Sequence, residues 1–147
     1  MLIVPSVCGA AESLAVVVAA EKTQVSYTRA ELAQIYRSKI SVDLNGQRIV
    51  PVNLPVGHPA RESFSVAVLG RPPQELQAYW NQQYFLGKKP PVVLDSEEAV
   101  IRFVATTPGA IGYIFQCSVD QRVRVIDEIP IGDLHNSGFS TPACNRR

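Results

Sequence analysis

Residues 96–113, with the sequence SEEAVIRFVATTPGAIGY, decide the fold class because they contain a helix that leads directly into a strand. Asp95 is the expected N-cap of this helix, and Pro108 and Gly109 follow its last turn. Its inward face carries apolar side chains at helical spacing, namely Val100, Ile101 and Val104. Residues 110–114 (AIGYI) then predict a strand, so this stretch indicates an α/β unit.

Working outward, further strands are predicted on both sides of this unit. Residues 14–19 (LAVVVA) are continuously apolar and mostly β-branched, which is typical of a strand buried on both faces in a parallel sheet. Residues 49–54 also predict a strand. Because Pro51 cannot donate to a ladder, we expect that strand at a sheet edge or ending early. Residues 92–94 and 123–126 complete the set.

Helices are predicted between these strands. Thr28 and Glu31 have the spacing of a capping box, and the helix that they begin is expected to end near Lys39. Pro59 suits the first position of a second helix, which Gly70 ends. The alternation of strands and helices predicts one α/β domain with a mostly parallel sheet flanked by helices.

A further predicted helix begins at Pro73 and carries an aromatic stripe. The stripe consists of Leu76, Tyr79, Trp80 and Tyr84. Helical spacing of large apolar side chains favours a buried face, so we expect these residues in the core. The alternative is an exposed contact surface formed with the Lys88-Lys89 loop.

Composition bounds the class of protein. The chain has 147 residues, 46% of them hydrophobic, and a formal net charge of +1. Its 14 basic and 13 acidic residues are spread evenly, which argues against a nucleic-acid or membrane-surface partner. No apolar run reaches the roughly 18 residues that a membrane-spanning helix needs.

We expect three segments along the chain: 1–11, a domain at 12–130 and a C-terminal tail at 131–147. The first is either the remnant of a signal peptide, with small residues placed for cleavage after Ala11, or a short N-terminus without that role. Cys117 and Cys144 would form an even pair if residues 1–11 were removed. A disulfide between them closes a loop of roughly 27 residues and contributes about 3–4 kcal/mol; the alternative is two free thiols.

Signatures of catalysis and of metal binding are missing from the sequence. The two histidines, His58 and His135, lie far apart, and no Cys or His neighbours another at metal-ligand spacing. There is no G-x-S-x-G motif and no glycine-rich phosphate loop of the Walker or dinucleotide type. We therefore expect a protein that is not an enzyme and that needs no metal or cofactor.

The loop after the 49–54 strand is the candidate binding site. The first turn of a helix leaves backbone N–H groups without intrahelical partners, and its dipole attracts anions. Arg61 adds a guanidinium, whereas Pro59 lacks an N–H and Glu62 brings negative charge. We expect the N–H groups of residues 60–62 to be free and His58 to be a poor N-cap. The candidate anion-binding residues are Gly57, His58, Ala60, Arg61 and Glu62.

About two-thirds of the chain resembles the phosphate-binding proteins of bacterial phosphate importers, which have the type 2 periplasmic binding protein fold. The resemblance is carried by LAVVV at 14–18, TRAELAQIYRSK at 28–39, RIVPVNLPVGHPARESF at 48–64 and SEEAVIRFVATTPGAIGY at 96–113. It implies one lobe of that fold. The family's Gly-Ser-Gly-Thr-Arg pattern matches here at Gly57 and Arg61, while His58, Pro59 and Ala60 replace the three residues between them.

The resemblance implies two functions that belong to different classes. The first is a periplasmic or secreted solute-binding-like domain that holds phosphate, sulfate or another small anion weakly. The second is a degenerate binding fold that contacts a protein partner or a second copy of itself. The two differ in whether the loop at 57–61 or the aromatic stripe carries the function.

Overall fold

The computed structural model describes residues 13–131, which contain five β-strands and four α-helices. The strands are β1 (Ser13–Ala19), β2 (Val50–Asn53), β3 (Val92–Val93), β4 (Ala110–Phe115) and β5 (Val123–Pro130). The helices are α1 (Arg29–Tyr36), α2 (Pro59–Phe64), α3 (Gln77–Phe85) and α4 (Glu97–Thr106). A π-helical turn, Ser65–Leu69, continues α2, and 3₁₀ turns occupy Pro73–Leu76 and Gln116–Ser118.

The five strands form one mixed sheet in the order β3-β2-β4-β1-β5. β2 runs parallel to β3 and β4, whereas β1 runs antiparallel to both β4 and β5. The α/β class is confirmed, but the parallel part of the sheet is confined to three strands. The apolar run of β1 correctly indicated burial on both faces. That pattern is the same for either strand direction, so the direction could not be predicted from it.

The strand with Pro51 was expected at an edge or ending early. The edge position is wrong, because β2 lies between β3 and β4, and the strand ends at Asn53, one residue before its predicted end. The two neighbours pair with different halves of β2: β4 pairs at Val50 and Pro51, and β3 pairs beyond the proline. The buried Tyr36 hydroxyl lies 3.2 Å from the carbonyl oxygen of Ile111, the register partner of Pro51, and 3.0 Å from that of Val52. Because Pro51 has no N–H, it cannot donate to the neighbouring strand. The Tyr36 hydroxyl of α1 supplies a donor to the carbonyl groups beside it.

Helices cover both faces of the sheet. Gly112 and Tyr113 are neighbours in β4, so they face opposite sides. A Cβ at Gly112 would lie 2.7 Å from Val100 in α4, whereas the Tyr113 ring stacks on Phe64 of α2 at 4.0 Å. The α4 helix therefore covers one face, and α1 and α2 cover the other. One cluster of buried apolar residues runs from Leu14 to Ile131.

Most local signals at the helix ends are confirmed, although α1 ends at Tyr36 rather than near Lys39 as expected. Thr28 and Glu31 form the predicted capping box, with bonds of 3.1 and 3.0 Å. Gly70 ends the π-helical turn in the left-handed conformation. The N-cap of α4 is Ser96, whose hydroxyl accepts from the Ala99 N–H at 3.1 Å, and not the preceding Asp95. Both residue types are good caps, so the sequence alone places the cap only to within one residue.

The prediction of a buried aromatic stripe on α3 is wrong, because no residue of this helix is buried. Tyr79 and Trp80 are half-buried, and the Tyr84 side chain is 75% exposed. Of the stripe, Leu76 alone reaches the core, from the 3₁₀ turn that precedes α3. Helical spacing indicates which side chains share a face, but it does not show whether another element covers that face.

Other predictions concern the chain ends. The segments 1–11 and 132–147, with Cys144 and His135, lie outside the described residues. Cys117 takes part in a disulfide, and its pairing with Cys144 stays a prediction. Within residues 13–131, no helix is long and apolar enough to cross a bilayer.

Candidate functional site

The candidate site lies at the carboxyl edge of the parallel strands. Since β2, β3 and β4 run in the same direction, their carboxyl ends meet at one edge of the sheet, where ligands of open α/β sheets commonly bind. The chain leaves β2 and enters α2 at Pro59, and it leaves β3 and enters α4 at Glu97. Two helix N-termini therefore begin at this edge.

His58 is the N-cap of α2, contrary to the expectation that it caps poorly. Its Nδ1 atom accepts from the Ala60 N–H at 3.1 Å, so the N–H expected to be free has a partner. An imidazole nitrogen thus accepts the capping hydrogen bond that a Ser or Thr hydroxyl usually accepts. Because Nδ1 acts as an acceptor, the ring is neutral in this arrangement. Burial lowers the pKa of His58, and the nearby Glu97 carboxylate partly opposes that shift.

The carboxylate of Glu62 occupies the start of α2. This buried side chain accepts through Oε1 from the Gly57 N–H at 3.0 Å and from the Gln74 amide at 3.1 Å. The Glu62 N–H donates to the His58 carbonyl oxygen at 3.0 Å, so it is not free as expected. The Glu62 carboxylate thus takes the backbone donor of Gly57, one of the candidate anion-binding residues, and places an internal negative charge at the site.

Arg61 keeps its charge available at this edge. The half-buried side chain donates from Nη1 to the Leu54 carbonyl oxygen at 3.1 Å. It forms no ion pair within residues 13–131, and no residue of that range accepts from its backbone N–H. A guanidinium offers five N–H donors, so most of its hydrogen-bonding capacity remains open. Arg61 is the site residue that still suits an anion.

The neighbouring helix start holds a residue that the sequence did not single out. The Glu97 carboxylate accepts from the Phe115 N–H at 2.7 Å and from the Ser118 hydroxyl at 3.1 Å. The ring of Phe115 lies 6.4 Å from that of His58. From sequence alone, adjacent acidic residues such as Glu97 and Glu98 are expected to form a solvated face of the helix. A contact from α4 to the end of β4 depends on the tertiary fold and leaves no local pattern.

A buried polar network fixes the strand end beneath the site. The Tyr113 hydroxyl donates to the Asn53 side-chain oxygen at 2.6 Å and accepts from the Leu54 N–H at 3.3 Å. Burial raises the pKa of Tyr113 well above its usual value, so the hydroxyl stays protonated. These bonds hold the backbone whose Leu54 carbonyl positions Arg61. Within the described residues, no three His, Cys, Asp or Glu side chains gather as metal ligands.

No protein-family model matches this sequence, and no curated protein matches it. The fold resembles part of the fold of phosphate ABC transporter substrate-binding proteins. An ABC-type phosphate transport receptor from Vibrio cholerae superposes with a TM-score of 0.63 at 22% identity, over 86% of this chain and 51% of that one. PstS from Borrelia burgdorferi gives a TM-score of 0.62 at 19% identity, over 79% of this chain and 47% of that one.

A Clostridium perfringens protein solved with bound phosphate also matches, with a TM-score of 0.64, 23% identity, and coverage of 79% of this chain and 44% of that one. This chain therefore spans about half the length of the structures that it resembles, as one lobe would. At these identities the likeness concerns the fold. These structural neighbours are described as a substrate-binding protein and a phosphate transport receptor.

Proposed function

We propose that this chain is a phosphate-type solute-binding lobe that holds phosphate, sulfate or another small anion weakly at the start of α2. The observation that supports the proposal most is the environment of the Arg61 guanidinium. This group is half-buried, is held by the Leu54 carbonyl and has no carboxylate partner in the described part of the chain. It lies at the carboxyl edge of a fold shared with phosphate-binding proteins.

The geometry supports weak binding. Gly57 and Ala60 donate their backbone N–H groups internally, and an incoming anion would meet the negative charge of Glu62. One lobe would supply only a single wall of a binding cleft, so an anion here remains in contact with water, where an ion pair gains little. We propose millimolar affinity, which corresponds to about 4 kcal/mol.

Titration calorimetry with phosphate at low ionic strength tests this proposal. Arg61→Ala removes the proposed cation and is expected to abolish measurable heat. Arg124→Ala is the matched control, because Arg124 is an exposed arginine on β5 at the far edge of the sheet. If the control variant loses as much affinity as Arg61→Ala, binding reflects net charge and the proposed site is wrong.

The Glu62→Gln variant provides a second test that moves affinity in the opposite direction. Glutamine can still accept from Gly57 but carries no charge, so the repulsion of the anion is removed while the loop keeps its bond. Phosphate affinity is expected to rise about tenfold, or about 1.4 kcal/mol. An unchanged affinity would show that the anion binds elsewhere.

The proposal also includes a cellular location and a class of activity. We place the protein in the periplasm or outside the cell, as a binding protein without catalytic chemistry. Fractionation of cells, followed by detection of the protein in the periplasmic or secreted fraction, checks the location. Recovery from the cytoplasm alone would contradict it.

A second candidate function, contact with another copy of the chain, is favoured by the exposed end of α3. Tyr84, Phe85 and Leu86 are consecutive and are 75%, 88% and 68% exposed. Edge strand β3 exposes Val92 and Val93 as well. Contiguous exposed apolar surface of this kind marks contact sites in many proteins.

Analytical ultracentrifugation tests the second candidate. A concentration-dependent dimer is expected if α3 mediates self-association, and Phe85→Ser is expected to shift it to monomer. Val66→Ser is the matched control, since Val66 is also exposed but belongs to the π-helical turn. A monomer at all concentrations, or equal effects of both variants, would contradict self-association through α3.

A further inference from the structure

A concave surface lies at the amino ends of the parallel strands, at the opposite end from the start of α2. It is an open cavity of about 610 Å³ between the end of α1, the approach to β2 and the loop that leads into β3. Its walls include the first residue of β2, Val50, and the first residue of β3, Val92. These are the amino ends of parallel strands, so this cavity is separate from the site at their carboxyl ends.

The charge of this cavity has one sign. Four cationic residues line it, and none of its described lining residues is acidic. None of the four forms an ion pair within residues 13–131. Arginines elsewhere in the same range do have carboxylate partners, as Arg29 and Arg102 show at 3.1 and 3.0 Å. The four cationic residues are Lys39, Arg48, Lys88 and Lys89.

The loop that carries two of these lysines is held in place at both ends. At its start, the Gly87 and Lys88 N–H groups each donate at 3.0 Å to carbonyl oxygens in the last turn of α3. Further along, the Ser38 hydroxyl donates to the Lys89 carbonyl oxygen at 2.9 Å. Ser38 has a φ of 60°, a left-handed conformation that residues other than glycine rarely adopt. Backbone strain of this kind persists where surrounding structure enforces it, often at binding sites.

We propose that this cavity binds a polyanion that carries two or more phosphoryl groups. A single phosphoryl group has a charge of about −1.5 to −2 near pH 7, so four lysine and arginine charges need at least two such groups for compensation. The volume lies within the range of about 300–1,000 Å³ that is typical of small-molecule sites. Apolar walls from Ile40 and Pro91 can contact the rest of an organic ligand.

The probe for this proposal is inorganic tripolyphosphate, titrated calorimetrically at low ionic strength into the whole chain. Binding is expected, and the Lys88→Gln/Lys89→Gln double variant is expected to weaken it at least tenfold. The control is Arg71→Gln/Arg124→Gln, which removes the same charge from exposed positions outside the cavity lining. The control is expected to change affinity less than twofold. Equal losses in the two double variants, or no binding by the unaltered chain, would overturn the proposal.

Arg61→Ala separates this site from the one at α2. Tripolyphosphate affinity is expected to be unchanged in that variant, even if orthophosphate no longer binds. Loss of tripolyphosphate binding in Arg61→Ala would place the polyanion at α2 and overturn the assignment of the cavity. Failure of orthophosphate to bind, with tripolyphosphate binding intact, would instead remove the proposed function and leave this cavity assigned.

Clustered phosphoryl groups occur both in free molecules and on lipid surfaces, and vesicles distinguish these sources. Co-sedimentation with phosphatidic-acid vesicles, lost in the Lys88→Gln/Lys89→Gln variant, would support the cavity with a lipid headgroup as its occupant. Tripolyphosphate binding without co-sedimentation would support a free polyanion. In either case rising salt is expected to weaken binding, since exposed charges are screened within about 8–10 Å; salt-independent binding would contradict an electrostatic site.

Discussion

Gly109 and Gly112, in the stretch 96–113 that decides the fold class, occupy positions where a larger side chain would clash. Gly109 has a φ of +79°, and a Cβ there would lie 2.0 Å from the Arg48 carbonyl oxygen. At Gly112, a Cβ would lie 2.7 Å from Val100, so the absent side chain lets α4 pack closely on β4. The glycines of this stretch therefore set backbone approach and packing rather than contact with a ligand.

A comparison of two alanine substitutions tests this explanation. Gly46 has the same φ of +79° as Gly109, but no atom lies within 4 Å of the position that its Cβ would take, so Gly46→Ala carries the conformational cost alone. That cost is about 1–2 kcal/mol. Gly109→Ala adds a clash with the backbone. Like other overpacking substitutions, it is expected to lower the free energy of unfolding by about 1–3 kcal/mol more. Urea denaturation measures both, and equal losses would contradict the close approach to Arg48.

At His58, the neutral cap predicts a dependence of stability on pH. The pKa of His58 is lowered in the folded chain, so between that pKa and the ordinary value of about 6.5 the unfolded chain binds more protons. The stabilisation is therefore fully present above pH 6.5 and is lost as pH falls through the folded pKa. Denaturation measured from pH 8 to 5 is expected to show this fall.

His58→Asn is the control for this pH dependence. Asparagine is a good N-cap that does not titrate in this range, so the variant is expected to keep α2 and to lose that part of the pH dependence. The difference between the two curves removes any contribution from His135. Parallel curves for both proteins would show that the ring does not act as the neutral acceptor of the Ala60 N–H.

At the scale of elements, α1 is joined to the sheet by the Tyr36 hydroxyl. This side chain is 1% exposed and serves carbonyl groups of both β2 and β4. Tyr36→Phe leaves buried acceptors without that donor and is expected to destabilise the chain by about 1–3 kcal/mol. Thermal or urea denaturation measures the loss.

Tyr79→Phe is the matched control for the α1 prediction. The Tyr79 hydroxyl also donates to a backbone carbonyl, that of Arg37 at 2.8 Å, but the side chain is half-buried. Water can replace this bond, so the expected loss is smaller, about 0.5–1 kcal/mol. Equal losses in the two variants would show that burial of the Tyr36 contact contributes nothing extra.

At the same scale, local patterns predicted the elements but not their surroundings. The capping box at Thr28, the start at Pro59 and the stop at Gly70 each depend on bonds within a few residues, so the sequence could show them. The exposure of α3 and the inner position of Pro51 depend on which distant element lies beside them. The candidate site follows the same division: Arg61 was found from local pattern, whereas the bond from the Phe115 N–H to the Glu97 carboxylate joins residues 18 positions apart and was not.

For the whole molecule, the predicted Cys117–Cys144 disulfide would join the end of β4 to the C-terminal segment. Cys144→Ser is expected to lower the free energy of unfolding by about 3–4 kcal/mol, because the reduced chain regains the loop entropy of roughly 27 residues. Cys8→Ser is the control and is expected to have little effect. The opposite result, a loss in Cys8→Ser alone, would mean that Cys117 pairs with Cys8.

The sequence by itself determined the α/β class, the order of strands and helices, and the loop at 57–61 as the candidate site, because these depend on periodicity and on bonds between near neighbours. The tertiary structure alone decided the mixed strand directions, the open face of α3, the contact of the Glu97 carboxylate with the end of β4 and the cluster of four cations at the amino ends of the parallel strands. These features join residues that are distant along the chain, or depend on which surfaces other elements leave uncovered. The pattern of apolar and charged residues along the chain shows neither these distant contacts nor which surfaces stay uncovered.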